Sequence, residues 1–229
     1  METTGKQGVA SFFEKYGTAL AVLVGALIIG GAFAFGQGGE RPPQGTEPVA
    51  VDIKEVNLDS SPYVGAKNAK VTLAVWYDFQ CRFCKQFETT TLKEVISTYG
   101  DDVRIVYKDF QFLGPASNDA ALYSRAVWEA HPDRWHDWFA GMFENGEEST
   151  LDIAGMDALS TRLGLNVERI TTLRTDKAAE YQAAMDADRD EGQSFGINGT
   201  PGTIIGTQLI AGAQPFANVK ALIDAELAK

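Results

Sequence analysis

The sequence contains few cysteines, few histidines and a deficit of basic residues. Among 229 residues there are two cysteines and two histidines, and 20 Lys and Arg stand against 31 Asp and Glu, a formal net charge of −11. A structural disulfide framework needs more cysteines, spread along the chain. A nucleic-acid-binding surface needs clustered Lys and Arg, so we expect no nucleic-acid partner. The hydrophobic share of 45% is that of a globular protein, which excludes a disordered chain.

One uncharged run, residues 17–36, is long enough to cross a bilayer. Its twenty residues span roughly 30 Å as a helix, at about 1.5 Å per residue. Lys6 and Lys15 precede the run and Arg41 follows it, which favours an N-terminus inside the cell. An alternative interpretation is a cleaved signal peptide, because Ala32-Phe33-Ala34 resembles a cleavage site.

The run divides the chain into segments with different expected locations. We expect residues 1–16 to be cytoplasmic, residues 17–36 to be a transmembrane anchor and residues 37–48, rich in Gly and Pro, to be a linker. Residues 49–229 then form one domain outside the membrane, in a periplasmic or extracellular position. The predicted location is therefore the cell membrane, with a single pass.

The order of elements in residues 49–229 predicts an α/β fold. An apolar strand, Val71–Phe79, and a second strand, Val103–Phe110, flank a helix that begins at Arg82 and stops at Gly100, and this is a parallel βαβ unit. We place the helix's apolar face at Phe83, Phe87, Val95, Ile96 and Tyr99. The other expected elements are a first strand within Val49–Val56, helices Asn118–Ala130 and Pro132–Phe143, a helix capped by Ser149 or Thr150, another capped by Asn166, a helix Lys177–Glu191, a hairpin of Thr203–Ile205 and Gln208–Ala211 around Gly206-Thr207, and a last helix Phe216–Ala228.

The cysteines form a C-x-x-C motif, Cys81-Arg82-Phe83-Cys84, where a strand ends and a helix begins. Closing so short a loop removes little unfolded-state entropy, so the pair is a poor structural crosslink. A helix N-terminus stabilises a thiolate at Cys81, and we expect the Arg82 cation to lower the Cys81 pKa further if its side chain folds back toward the sulfur. Cys84 lies one turn along, within reach to resolve a mixed disulfide. Two alternatives stay open: an inert pair, or half of a zinc site completed by His131 and His136.

A second group of residues, Gly199-Thr200-Pro201, stands where the chain returns to the sheet. Pro201 either only precedes the start of a strand, with no further role, or is a cis-proline beside the cysteines. A cis bond would leave the Thr200 backbone free to pair with an extended substrate. Asn198-Gly199-Thr200 also matches a glycosylation sequon, which we take as chance.

Together these residues resemble the DsbA-like branch of the thioredoxin superfamily, specifically the membrane-anchored bacterial thiol-disulfide oxidoreductases. The resemblance rests on Tyr77 to Cys84, Val106 to Phe110, Gly199-Thr200-Pro201 and a first segment Ser61 to Gly65. It implies a thioredoxin-like fold whose inserted helical domain spans about residues 116–192. It also implies a cis-Pro201, a redox-active Cys81–Cys84 disulfide as the only redox group, and no cofactor or metal.

The resemblance also implies a role for each residue. Cys81 would be the nucleophile and Cys84 the resolving cysteine, Thr200 and Pro201 would bind substrate, and Arg82 and Phe83 would tune the potential. The sequence departs from the family pattern in three places: Arg82 stands where Pro is frequent, Val75 where many members have a buried glutamate, and Gly202 where Thr is frequent after the cis-proline. Asp78 is either a substitute for the missing acid or a cap at the strand end.

Three functions are compatible with these features. The leading one is an oxidase that donates its disulfide to exported cysteine-containing proteins and is re-oxidised by a membrane redox partner. The second is a reductase or isomerase supplied with electrons across the membrane. The third is a membrane-tethered peptide-binding or chaperone module with an apolar surface at Phe110, Phe112, Leu113, Trp135, Trp138 and Phe139, although aromatic residues at helical spacing are more often core.

Overall fold

A computed structural model describes residues 51–144 and 151–229. The predicted transmembrane segment 17–36 and the predicted caps Ser149 and Thr150 lie outside the described residues. Within the described ranges, none of the helices combines the length and apolar character that a membrane crossing requires. The described residues belong to one compact unit, Val49–Lys229.

A mixed five-stranded sheet forms the centre of this unit. The strands are β1 (Tyr63–Val64), β2 (Val71–Tyr77), β3 (Val103–Asp109), β4 (Gly202–Ile205) and β5 (Gln208–Ala211). Their order is β1-β3-β2-β4-β5; β2 and β3 are parallel and the other neighbours are antiparallel. Strand β2 is almost entirely buried, as its apolar sequence predicts, and β3 is buried throughout although it includes Arg104, Lys108 and Asp109. The predicted βαβ unit and the hairpin are therefore confirmed.

The expected first strand within Val49–Val56 is wrong for the residues described. Ile53–Glu55 form a 3₁₀ turn, because the Asp52 carboxylate accepts a hydrogen bond from the Lys54 amide at 2.9 Å and closes the chain locally. The first strand is β1, ten residues further on, and its Tyr63 pairs with Val106 of β3.

Helices cover the sheet and fill the long connection between β3 and β4. After β2 come α1 (Arg82–Gln86), a π-helical stretch (Phe87–Leu92) and α2 (Lys93–Tyr99), which Gly100 ends with a φ of 51°. The connection holds α3 (Pro115–Ala130), α4 (Trp135–Glu144), α5 (Ile153–Arg162), α6 (Val167–Asp176) and α7 (Ala178–Ser194), and α8 (Phe216–Leu227) ends the fold. Asn166 caps α6, as predicted, by accepting from the Arg169 amide at 3.0 Å.

Aromatic rings join the helical block to the sheet beneath the cysteines. Phe139 of α4 lies edge-on to Tyr77 at 4.9 Å between ring centroids, and Phe79 stacks on Phe143 at 5.7 Å. Trp135, Trp138 and Phe139 are at most 1% exposed, so the aromatic residues of α4 are core. They do not form the open peptide-binding surface that a chaperone function would need.

Buried ion pairs provide a second attachment between the block and the sheet. Lys108 of β3 pairs with Asp188 and, at 3.0 Å, with Glu191, both on α7. Arg125 of α3 bridges Asp109 at 2.7 Å and Asp188 at 2.6 Å. Each charge therefore has an opposite partner, which a buried charge needs to remain ionised.

Candidate active site

Cys81 occupies the N-cap of α1, immediately after the turn that ends β2. Its backbone is extended, with φ −76° and ψ 111°, and its carbonyl accepts the first helical hydrogen bond from the Lys85 amide at 3.0 Å. Its sulfur accepts a hydrogen bond from the Cys84 amide at 3.4 Å. An N-cap side chain normally accepts such a bond with oxygen, and here sulfur takes that place. This position turns the unpaired amides of the helix toward the thiol.

The Thr200-Pro201 segment lies directly against Cys81, although the two are 119 positions apart. The antiparallel pairing of β2 with β4, with Trp76 opposite Gly202, brings them together. The Thr200–Pro201 peptide bond is cis, and the Thr200 carbonyl accepts a hydrogen bond from the Cys81 thiol at 3.3 Å. The structure thus brings together four sequence-predicted residues: Cys81, Cys84, Thr200 and Pro201.

The pKa values of the two thiols are shifted in opposite directions. The pKa of Cys81 is lowered from 9.0 to about 6, chiefly by the hydrogen bond from the Cys84 thiol, with the Thr200 side chain and the backbone amides of Cys84 and Phe83 also contributing. Burial, followed by the adjacent Cys81, raises the pKa of Cys84 well above its usual value. At neutral pH the pair therefore holds one thiolate, on Cys81, and one thiol, on Cys84. A stabilised thiolate of this kind both attacks disulfides and leaves readily from them.

Arg82 and Phe83 lie at the surface, and both depart from expectation. The Arg82 guanidinium lies over the Phe83 ring, 4.5 Å from its centroid, and it is not among the main causes of the low Cys81 pKa. The condition for an effect of Arg82 on that pKa is therefore not met, because the side chain stacks on its neighbour instead of folding toward the sulfur. Phe83 is 45% exposed, and the assignment of Phe83 to the apolar helix face is wrong. Cys84, one position on, takes the core-facing place.

Asp78 is fully buried and organises the loop beside the cysteines. Its carboxylate accepts hydrogen bonds from the amides of Gln80, Phe112 and Leu113 and from the Ser117 hydroxyl, at 2.6 to 3.1 Å. This is the strand-end cap of the two roles considered from the sequence. Through the two amide bonds, Asp78 fixes the backbone of Phe112 and Leu113, whose side chains are 53% and 44% exposed.

A groove of about 320 Å³ borders the Thr200-Pro201 segment. Residues 196–202 form one side and Leu209, Ala211 and Gly212 the other. Gly202 departs from the family pattern for a local reason: a Cβ at this position would lie 2.7 Å from Ile197 Cγ2. A larger residue there would require Ile197 to move.

The two histidines have different hydrogen-bond partners, and neither partner is a cysteine. His131 Nε2 accepts the Asn166 amide at 3.0 Å, and His136 Nε2 is 3.0 Å from Glu88 Oε1. Within residues 51–144 and 151–229, no three His, Cys, Asp or Glu side chains come together as a set of metal ligands.

Glu88 is a residue of this region that the sequence motifs did not predict. This carboxyl group is 5% exposed and lies four positions after Cys84, on the same buried face of the helix. Its Oε2 accepts a hydrogen bond from the Tyr107 hydroxyl at 3.1 Å. The spacing of four residues was the signal that could have found it, because side chains at i and i+4 lie together on a helix.

Comparison with known proteins places the chain in a family. A thioredoxin family model matches residues 57–225, almost the whole of the described unit. The chain belongs to the thioredoxin family. Among curated proteins it is similar to disulfide bond formation protein D of Bacillus subtilis (strain 168), with 24% identity over 192 residues that cover 82% of this chain and 85% of that protein. A probable disulfide bond formation protein D of Bacillus cereus is 22% identical over 212 residues, covering 90% of this chain and 94% of that protein.

Solved structures of the family share the fold. The crystal structure of oxidised BdbD from Bacillus subtilis has a TM-score of 0.70 at 22% identity, covering 80% of this chain and 100% of that one. The thiol-disulfide exchange protein alpha-DsbA2 from Wolbachia pipientis has a TM-score of 0.67 at 22% identity, covering 72% and 87%. The DsbA-like resemblance is thus confirmed, and the chain is a protein thiol-disulfide oxidoreductase of the thioredoxin superfamily, homologous to disulfide bond formation proteins.

Proposed function

We propose that the chain is a membrane-anchored thiol oxidase that donates a Cys81–Cys84 disulfide to exported proteins. The observation that carries this direction is the stabilised Cys81 thiolate, whose pKa is about 6. Interactions that favour this thiolate exist only in the reduced protein, so they make the disulfide easier to reduce and therefore more oxidising. The relatives' name, disulfide bond formation protein D, supports the same direction.

The transfer proceeds by two thiol-disulfide exchanges. A substrate thiolate attacks Cys81 Sγ, the Cys81–Cys84 bond breaks, and Cys84 leaves and takes up a proton. A second substrate thiolate then attacks the substrate sulfur of the mixed disulfide and releases Cys81 as a thiolate. Two electrons pass from the substrate dithiol to the cysteine pair. Re-oxidation by a membrane partner returns the pair to the disulfide.

The surface around Cys81 suits an extended, partly apolar substrate. We assign substrate binding to Thr200 and Pro201, since the segment contacts Cys81 and borders the groove of about 320 Å³. Phe83, Phe112 and Leu113 are the large apolar side chains most open to solvent in the described residues. An unfolded exported polypeptide offers the matching apolar side chains and backbone edges. Arg82 contributes to this surface by stacking on the Phe83 ring. Asp78 contributes by holding the backbone amide of Phe112.

Residues 17–36 supply the anchor and residues 37–48 the tether in this proposal. The support is the uncharged length of the run and the positions of Lys6, Lys15 and Arg41. The catalytic unit then lies outside the membrane, where oxidised cysteines persist and exported substrates pass. Membrane fractionation under alkaline conditions tests the anchor: the full chain should stay in the pellet, and a chain lacking residues 1–36 should not.

Catalysed oxidative folding tests the activity. Reduced, unfolded ribonuclease A is incubated with glutathione buffer and a catalytic amount of the full chain, and recovery of ribonuclease activity is followed. We expect acceleration by the wild type and none by the Cys81→Ser/Cys84→Ser double variant. Faster reduction of a disulfide substrate, without faster oxidation, would favour the reductase. Equal activity of wild type and double variant would favour the chaperone.

A further inference from the structure

The two chain segments that border the active-site turn are uncharged. The first, residues 110–118, is attached to the turn before Cys81 by the Ser117 hydroxyl, which donates a hydrogen bond to Gln80 Oε1 at 2.9 Å. The second, residues 192–219, includes every residue that lines the groove of about 320 Å³. Neither segment contains Asp, Glu, Lys, Arg or His, although 22% of the chain is charged. Neither segment can therefore form an ion pair with a substrate.

Two cations, Arg82 and Lys85, lie beside these uncharged segments on α1. The Arg82 side chain is exposed and the Lys85 side chain is half-buried. They are three positions apart, so they are neighbours on the helix surface. Among the described residues, neither has an ion-pair partner. Glu88, three positions after Lys85, is buried and accepts a hydrogen bond from Tyr107 instead. Both positive charges are therefore available to a molecule that binds at Cys81.

The fold gains little stability from these two positive charges. Like charges three positions apart on a helix repel each other, and a cation in the first helical turn opposes the helix dipole. Arg82 is also not among the main causes of the low Cys81 pKa. The chain has a formal net charge of −11, so the exposed cations beside the reacting sulfur are opposite in sign to the net charge. Their position therefore favours a role in binding a partner.

The Arg82 side chain is arranged to bind a carboxylate. Its guanidinium lies over the Phe83 ring, 4.5 Å from the centroid, and such stacking leaves the N–H donors at the edge of the guanidinium free. A guanidinium forms paired hydrogen bonds with a carboxylate, and the Lys85 ammonium adds a second positive charge. Phe83, 45% exposed, provides an apolar contact next to these donors. The three side chains together match a polypeptide with acidic and apolar residues close to a cysteine.

We propose that Arg82 and Lys85 select substrates whose reacting cysteine has acidic neighbours. This inference rests on the proposed function and adds the class of substrate. An Asp or Glu of the substrate pairs with Arg82 while the substrate thiolate attacks Cys81 Sγ, and Cys84 leaves and takes up a proton as described above. The carboxylate takes no part in the bond changes. Lys85 increases the attraction during approach, because opposite charges raise association rates.

Three peptides that differ only beside one cysteine test this selection. Each peptide contains two cysteines, and the residues on both sides of the first cysteine are Asp, Asn or Lys. The oxidised full chain is mixed with each peptide, the reaction is quenched in acid at intervals, and the cyclic peptide disulfide is measured by mass. Flanking charges also change the pKa of the peptide thiol. Each rate is therefore divided by the rate of the same peptide with 2-hydroxyethyl disulfide, which is uncharged.

The corrected rate should be on the order of tenfold higher for the Asp peptide than for the Lys peptide in about 20 mM salt. In about 1 M salt, where the screening length is roughly 3 Å, this ratio should fall below about twofold. In Arg82→Gln/Lys85→Gln it should be below about twofold at both salt concentrations, and in Arg82→Glu/Lys85→Glu it should invert. A changed reduction potential would alter the rates of all three peptides alike, so it would not change this ratio.

A matched control removes two cations at the other end of β2. Lys67 and Lys70 are exposed, are also three positions apart, and precede the strand that Cys81 follows. Lys67→Gln/Lys70→Gln changes the net charge by the same amount and should keep the wild-type ratio. Equal corrected rates of the Asp and Lys peptides with the wild type, or an equal loss of the ratio in the control variant, would overturn the inference and leave the oxidase intact. A wild type that oxidises none of the peptides would overturn the proposed function, and this inference with it.

Discussion

Replacing Cys84 with alanine should raise the pKa of Cys81, because the Cys84 thiol is the largest cause of the lowering. A hydrogen bond to a charged group is worth about 1.5–3 kcal/mol, and one pKa unit corresponds to about 1.4 kcal/mol. The expected rise is therefore about one to two units. The backbone amides and Thr200 still act on the sulfur, so the pKa should remain below the ordinary value of 9.0.

This rise changes the reactivity of Cys81 at neutral pH. A pKa of about 6 leaves roughly 90% of Cys81 as thiolate at pH 7, and the variant would hold roughly 10–50%. Alkylation by iodoacetamide, followed by mass spectrometry between pH 4 and pH 10, should show a pH profile whose midpoint lies about one to two units higher than in the wild type.

Two further variants sharpen this measurement. Cys84→Ser keeps a hydroxyl donor and should hold the Cys81 pKa close to the wild-type value. Arg82→Ala should leave it within about half a unit, because the guanidinium lies on the Phe83 ring. An unchanged pKa in Cys84→Ala, or an equal rise in Cys84→Ser, would refute the assignment of the lowering to the Cys84 thiol.

Three further predictions concern stability. The lowered pKa of Cys81 stabilises the folded reduced protein above pH 9, and this contribution is lost as pH falls through about 6. The unfolding free energy of the reduced protein, minus that of the oxidised protein, should therefore rise from pH 6 to pH 9 in urea titrations; a flat difference would contradict the lowered pKa. Gly192→Ala should destabilise by about 1–3 kcal/mol, because its Cβ would lie 2.7 Å from Trp76 Nε1, whereas Gly199→Ala meets no atom within 4 Å and should be neutral; equal midpoints in thermal melts would count against this packing. Asp78→Ala should cost about 2–4 kcal/mol by leaving the amides of Phe112 and Leu113 unpaired, and unchanged hydrogen exchange at these amides would argue otherwise.

Local patterns were enough to predict most of the fold. The apolar run of β2 and the stop at Gly100 are signals within one element, and each matches the structure. The prediction of a first strand within Val49–Val56 was wrong because the Asp52 side chain closes a turn there. The β-branched residues around Asp52 favour a strand and give no sign of this turn. The assignment of Phe83 to the buried helix face was wrong because Phe83 lies in the first turn of α1 on the side that faces solvent.

Long-range partners were the part that sequence patterns could not supply. Lys108 lies inside a strand that is buried along its whole length, and its partner Asp188 is 80 positions away. Glu88 is similar, since its partners Tyr107 and His136 come from two other elements. The spacing of Glu88 from Cys84 could have placed both on one helix face, but no local pattern joins Glu88 to Tyr107 and His136.

The reduction potential of the Cys81–Cys84 pair distinguishes a thiol oxidase from a disulfide reductase. The full chain is equilibrated with graded mixtures of reduced and oxidised glutathione, and the oxidised fraction is read by thiol trapping and mass. We expect a potential above that of the glutathione pool, so that the disulfide is given away. A potential well below it would contradict the oxidase and make the dithiol the working form.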